Sequence, residues 1–78
     1  MTKQELMSEL ESMVNARPGF LAEDTPIECL RGWDSLKNVE FRMFVEDELG
    51  RDLDGLKVDQ AGSIGDLVAL VADLLEEG

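Results

Sequence analysis

The sequence predicts a small all-α protein, a bundle of three main helices and one short helix with a long first loop. Its 78 residues form one domain, 1–78, with no room for a second hydrophobic core. Apolar residues recur at helical spacing in three stretches, which indicates three amphipathic helices. The irregular segment 17–33 separates the first two stretches and predicts the long loop.

The first predicted helix covers residues 3–16. Thr2 and Glu5 match a capping box at its start. Pro18 and Gly19 follow its end, since proline disfavours helix at the preceding residue and glycine permits a turn. The apolar stripe of this helix, which we expect to face the core, consists of Leu6, Met7, Leu10, Met13 and Val14.

The long loop carries apolar side chains that we expect to hold it against the helices: Phe20, Leu21, Ile27, Leu30 and Trp33. Thr25-Pro26 marks a turn, which could begin a short helical turn that runs through Cys29. Because Cys29 is the only cysteine, an internal disulfide is excluded. We expect Cys29 to be a small, partly buried apolar filler rather than a reactive thiol.

The second predicted helix begins at Ser35, ends at Leu49 and has two apolar faces. One face is expected to point into the core and consists of Phe41, Phe44, Val45 and Leu49. The other lies nearly opposite and is called the outer stripe: Leu36, Val39 and Met43. Carboxylates flank the outer stripe at Glu40, Glu46 and Asp47. Since a helix of a small bundle needs one core face, the outer stripe predicts a docking surface, unless the short helix covers it.

The segment 55–61 predicts a weak short helix bounded by two glycines. Its apolar anchors are Leu56 and Val58. The preceding residues 52–55 resemble part of a calcium loop, but two of the required ligand positions would fall on Gly50 and Ala61. We therefore predict no dedicated metal site.

The last predicted helix starts after Ser63, which can cap it, with Asp66 in the first turn. Its apolar residues form one continuous core stripe: Ile64, Leu67, Val68, Val71, Leu74 and Leu75.

The chain is strongly acidic, with a net charge of −11. It lacks the clusters of Lys and Arg that neutralise phosphates, which argues against nucleic acid and anionic membranes and favours partners with basic patches. No apolar run approaches the ~20 residues of a membrane span. We expect a cytoplasmic monomer. Met1 and the short tails favour a discrete protein, although a domain cut from a larger synthase would look alike.

Asp34-Ser35-Leu36 stands where the irregular segment meets the second helix. Asp34 or Ser35 can cap this helix, and an anion on Ser35 would lie in the favourable field of the helix N-terminus. The sequence contains no histidine, so Ser35 lacks the usual general base of a serine nucleophile. This pattern predicts a non-catalytic protein in which Ser35 is an attachment point.

Asp34-Ser35-Leu36 resembles the Asp-Ser-Leu motif of the acyl carrier protein family. The resemblance extends through Val39-Glu40-Phe41 and the acidic run 45–50, and Leu53, Ser63-Ile64 and the last helix also fall where the family has theirs. It implies that a phosphopantetheinyl transferase esterifies Ser35 with 4′-phosphopantetheine, whose thiol holds acyl cargo as a thioester.

The same resemblance implies partners. They are acyltransferases or ligases and synthases that recognise the helix after the serine. Gly32-Trp33 replaces the Gly-Gly pair of many peptidyl carriers, which favours an acyl or polyketide-type carrier. There are two alternatives: a peptidyl or aminoacyl carrier of D-alanyl type, and an unmodified acidic helical adaptor. Many acyl carriers have a small residue where this chain has Phe44, so we expect cargo that is short, polar or left in solvent.

Overall fold

The computed structural model describes residues 1–30 and 32–76, and these residues confirm an all-α fold. The described residues form four α-helices and two 3₁₀ turns: α1 (Lys3–Met13), the turn Ile27–Cys29, α2 (Ser35–Leu49), α3 (Gly55–Gln60), α4 (Ile64–Ala69) and the turn Ala72–Leu74. Within these described ranges, β structure is limited to two isolated bridges. No described helix is long and apolar enough to cross a membrane.

The core draws on all four helices and on the loop between α1 and α2. Its buried side chains are Leu6, Leu10, Leu21, Leu30, Phe41, Val45, Leu53, Val58, Ile64, Leu67, Val68 and Val71. The predicted inner face of α2 is confirmed, since Phe41 and Val45 are fully buried while Phe44 and Leu49 are partly buried against the core.

Helix α1 ends at Met13, so the predicted end at residue 16 is wrong. Asn15 adopts a left-handed conformation with φ of 57°, which stops the helix. Its amide donates to the Ser12 carbonyl at 3.3 Å, and the Ala16 amide donates to the Glu11 carbonyl at 2.8 Å. These two bonds form a Schellman motif, in which asparagine takes the place that glycine usually occupies.

Apolar burial holds only part of the long loop. Leu21 and Leu30 are buried, and Ile27 and Trp33 are partly buried, as predicted. The prediction for Phe20 is wrong, because its side chain is 57% exposed.

Hydrogen bonds hold the rest of the loop. The Leu21 amide donates to the buried carboxylate of Glu11 at 3.1 Å. Farther along, the Ile27 amide donates to the Gly62 carbonyl at 3.0 Å, and the Ile64 amide donates to the Thr25 carbonyl at 2.9 Å. The loop is thus fixed to α1 at one end and to the start of α4 at the other.

The predicted helical turn after Pro26 is confirmed as the 3₁₀ turn Ile27–Cys29. Cys29 itself is exposed, so the expectation of a partly buried filler is wrong. The prediction that Leu56 anchors α3 is also wrong, because this side chain is 62% exposed. Val58 is the only buried residue of that helix.

The predicted continuous last helix is interrupted after Ala69. Val71 has φ of −130°, outside the helical range, and a short 3₁₀ turn follows. Arg51 binds at this break: its guanidinium donates to the Leu70 carbonyl at 3.0 Å and to the Asp73 carboxylate at 2.6 and 2.8 Å. The fold therefore has two long and two short helices, rather than three main helices and one short one.

Candidate functional site

The segment that leads into α2 is fixed by a glycine and an aromatic contact. Gly32 has φ of +83°, a left-handed conformation that glycine adopts without steric cost. Trp33 follows it and packs on the buried ring of Phe41, with centroids 6.4 Å apart and a tilt of 58°. Trp33 directly precedes Asp34, so this contact fixes the start of the site to the core.

Asp34 caps α2, as one of the two sequence alternatives predicted. Its backbone is extended, and one carboxylate oxygen accepts from the Lys37 amide at 3.1 Å. Ser35 is the first residue of the helix and is exposed. Because Asp34 makes the capping bond, the cap does not need the Ser35 hydroxyl.

The first turn of α2 offers hydrogen-bond donors beside Ser35. Amides in the first turn of a helix have no acceptor within the helix, and Asp34 satisfies that of Lys37. The amides of Ser35 and Leu36 point toward the same end of the helix, where the dipole favours negative charge. An anionic ester on Ser35 would gain from both effects, against repulsion from the Asp34 carboxylate.

The outer stripe begins next to Ser35 and stays exposed along α2. Leu36 is 61% exposed, Val39 is 39% exposed and Met43 is 59% exposed. The alternative, that the short helix covers these residues, is therefore wrong. Large exposed apolar side chains that follow one helix face are a feature of interaction surfaces.

The three flanking carboxylates differ in their surroundings. Glu46 and Asp47 are exposed, and no ion pair within the described ranges engages them. Glu40 instead pairs with Lys37, with 3.0 Å between the Nζ and Oε2 atoms. This pair was not predicted from the sequence, although oppositely charged residues three positions apart on a helix commonly meet. The negative charge of the site is thus concentrated toward the C-terminal end of α2.

A polar cluster around the buried Asn38 holds α3 against α2. The Asn38 amide donates to the Gly55 carbonyl at 3.1 Å and to Asp59 at 2.6 Å. Its oxygen accepts from Arg42 Nε at 2.8 Å. Asn38 is only 4% exposed, and sequence reasoning missed it because a single asparagine on a helix carries no periodic signal.

All of the predicted site residues therefore lie along α2 and the residue that caps it. Asp34 is the N-cap, Ser35 and Leu36 lie in the first turn, and the other predicted residues continue along the solvent side: Val39, Glu40, Met43, Glu46 and Asp47. The arrangement presents a hydroxyl and an apolar surface to another molecule.

Comparisons with known proteins identify no relative. Neither a protein-family model nor a curated protein nor a solved structure matches this chain.

Proposed function

We propose that this protein is a carrier of the acyl carrier type, in which Ser35 bears a 4′-phosphopantetheine arm. The observation that carries the proposal is an exposed serine at the first residue of α2, directly beside an exposed apolar stripe on the same helix. A transferase must reach the hydroxyl and hold the protein at the same time. Both requirements are met on one face of one helix.

The residues present fit this group. The ester phosphate would lie at the N-terminus of α2, where the helix dipole and the amides of Ser35 and Leu36 favour an anion. The arm itself supplies a terminal thiol that holds acyl groups as thioesters. Ser35 contributes only its oxygen, and the rest of α2 provides the surface that enzymes recognise.

Transfer of the arm from coenzyme A to Ser35 needs no catalytic group from this chain. The Ser35 oxygen forms a new bond to the phosphorus of the phosphopantetheine group in coenzyme A, and the diphosphate bond breaks. Adenosine 3′,5′-bisphosphate leaves, and a base of the transferase takes the hydroxyl proton. The chain's own contribution is to keep the hydroxyl exposed and the adjacent backbone rigid.

The test is to incubate the protein with a phosphopantetheinyl transferase and coenzyme A and to measure its intact mass. We expect the wild type and the matched variant Ser8→Ala, which removes an exposed serine from α1, to gain one arm. Ser35→Ala should fold and gain none. If the wild type gains no mass, or Ser35→Ala gains one, the proposal is wrong.

An unmodified acidic adaptor remains a second candidate, because the outer stripe and its carboxylates would serve such a protein equally well. An unmodified wild type that still binds a basic partner through α2 would favour it. If the arm is attached, the groups found on it in protein from the native source distinguish acyl cargo from aminoacyl cargo of peptidyl or D-alanyl type.

The docking role of α2 can be tested by charge reversal. Asp47→Lys should raise the apparent KM of the transferase, since charges beside an interface mainly speed encounter. The effect should shrink at physiological salt, where the Debye length is about 8 Å. Asp66 and Asp73 are poor controls, because Asp66 caps α4 and Asp73 pairs with Arg51.

Glu9→Lys is the better control for this test. Glu9 is exposed on α1, and Glu9→Lys changes the net charge by the same amount as Asp47→Lys. An equal rise in KM for Glu9→Lys would show that only net charge matters and that α2 is not the docking surface.

A further inference from the structure

An open groove of about 570 Å³ lies between the end of α1 and the long loop, and the site described above does not use it. Among the described residues its lining is mainly apolar and includes the cation Arg17: Val14, Ala16, Arg17, Phe20, Cys29 and Leu30. The volume is within the range of small-molecule pockets, roughly 300–1,000 Å³, and far below what a folded partner would need.

A tight turn shapes one wall of the groove. Pro18 and Gly19 occupy its central positions, Gly19 has φ of +84°, and the Phe20 amide donates to the Arg17 carbonyl at 2.9 Å. These features fit a type II turn. The turn holds an aromatic ring and a guanidinium group at the groove, which explains why Phe20 is exposed rather than buried in the core.

The groove lies close to Ser35 along the chain. Gly32 also lines it, and Ser35 lies three positions farther along the chain. Three residues span at most about 11 Å, which is shorter than an extended phosphopantetheine arm. The end of an arm on Ser35 is therefore within reach of the groove.

The charge of the groove indicates what its occupant carries. Arg17 takes part in none of the ion pairs formed within residues 1–30 and 32–76. In a chain with a net charge of −11, a cation beside an apolar wall favours a ligand with an apolar body and an anionic end. Carboxylates match the guanidinium fork in shape as well as in charge.

We infer that this groove receives the end of the Ser35-linked arm when it carries a short acyl group that ends in a carboxylate, an inference that rests on the function proposed above. An open groove with one exposed cation holds a free ligand only weakly. A tethered ligand is present at an effective concentration on the order of millimolar, which compensates for weak affinity. The cargo lies outside the helices, in keeping with Phe44, whose ring already packs against the core.

Cys29 provides a direct measurement, because it lines the groove, is exposed and is the only cysteine of the chain. Ser35 is loaded with arms in which an amide replaces the thioester, so that no second thiol is present, and loading is verified by intact mass. One arm ends in a carboxylate, and a matched arm of equal length ends in a neutral carboxamide. The rate of Cys29 alkylation by iodoacetamide is then compared with that of the unloaded protein.

We expect the carboxylate arm to slow alkylation of Cys29 about threefold relative to the carboxamide arm, the size of effect that one exposed ion pair provides. Arg17→Gln should abolish the difference. Lys57→Gln, which removes an exposed cation from α3, should retain it.

Three results would overturn the inference. They are equal alkylation rates with the two arms, a difference that survives Arg17→Gln, and a slowing that depends on protein concentration, which would place a second copy of the chain in the groove. Failure of the proposed function is recognised separately, because the protein then gains no mass in the loading step.

Discussion

Asn38 offers the sharpest test of how the short helix α3 is held beside the candidate site. Its amide reaches the Gly55 carbonyl and Asp59, while its oxygen accepts from Arg42. Val58 is the only buried apolar side chain that α3 contributes. Asn38→Ala removes all three hydrogen bonds at once and leaves α3 attached mainly through Val58.

The expected cost follows from the partners. A hydrogen bond between neutral groups contributes about 1 kcal/mol and one to a charged group contributes roughly 1.5–3 kcal/mol. Arg42 is partly exposed and Asp59 is exposed, so water can replace part of what they lose. We therefore expect Asn38→Ala to lower the free energy of unfolding by about 3 kcal/mol. Against a total of about 4–12 kcal/mol for a chain of this length, the loss is large.

The measurement is urea or thermal unfolding followed by circular dichroism. A loss of this size should lower Tm by about 12–24 °C in a domain of under 100 residues. Gln60→Ala, at the exposed end of α3, should stay within about 0.5 kcal/mol of the wild type. Asp59→Ala should cost less than Asn38→Ala, and little further when combined with it, since both remove the same bond. A loss below about 1 kcal/mol for Asn38→Ala would refute the reasoning, because the cluster would then be fully replaced by water.

Three further predictions concern packing, backbone and pH. Phe44→Ala should lower the free energy of unfolding by about 2 kcal/mol, less than the ~3–5 kcal/mol of a fully buried ring, because Phe44 is only partly buried. In chemical denaturation, a loss near zero or a loss of ~3–5 kcal/mol would contradict this. Gly32→Ala should lower the free energy of unfolding by about 1 kcal/mol in the same assay. The loss comes from the positive φ alone, since an added Cβ would have no heavy atom within 4 Å. An unchanged stability would show that the turn relaxes. The hydrogen bond from Arg51 lowers the pKa of Asp73, so its contribution is present above the usual pKa of about 3.9 and is lost as pH falls through the lower pKa of the folded state. Asp73→Asn should therefore flatten the acid limb of Tm against pH, and an unchanged limb would contradict the assignment.

Helix α2 shows which parts of the fold can be predicted from sequence. Both of its ends match the prediction, because each is set by a residue next to it: Asp34 caps the start, and Gly50, with φ of 73°, stops the end. The two apolar faces were also predicted, since helical periodicity fixes which side chains share a face. The position of Ser35 and the exposure of the outer stripe follow from these local facts.

The errors occur where distant residues decide the outcome. The last helix has an uninterrupted apolar pattern, yet it is interrupted where Arg51, from the segment after α2, binds the Leu70 carbonyl and Asp73. Phe20 and Cys29 were predicted to be buried or partly buried because apolar residues in loops often are. Their exposure depends on the path of the loop, which backbone hydrogen bonds to the start of α4 determine, and no periodic pattern reports such contacts. The groove could therefore not be predicted.

The distribution of charge along α2 would orient an enzyme that docks on the proposed carrier. Near Ser35, the Asp34 carboxylate caps the helix, Glu40 is paired with Lys37, and the helix N-terminus is positive. Glu46 and Asp47 lie farther along the helix, about 16–18 Å from Ser35 at 1.5 Å per residue, at its negative end. A basic patch on an enzyme is therefore attracted to the far end of the stripe, and the apolar contact lies toward the serine. Such a gradient would orient the enzyme along α2 before contact, with its active site over Ser35.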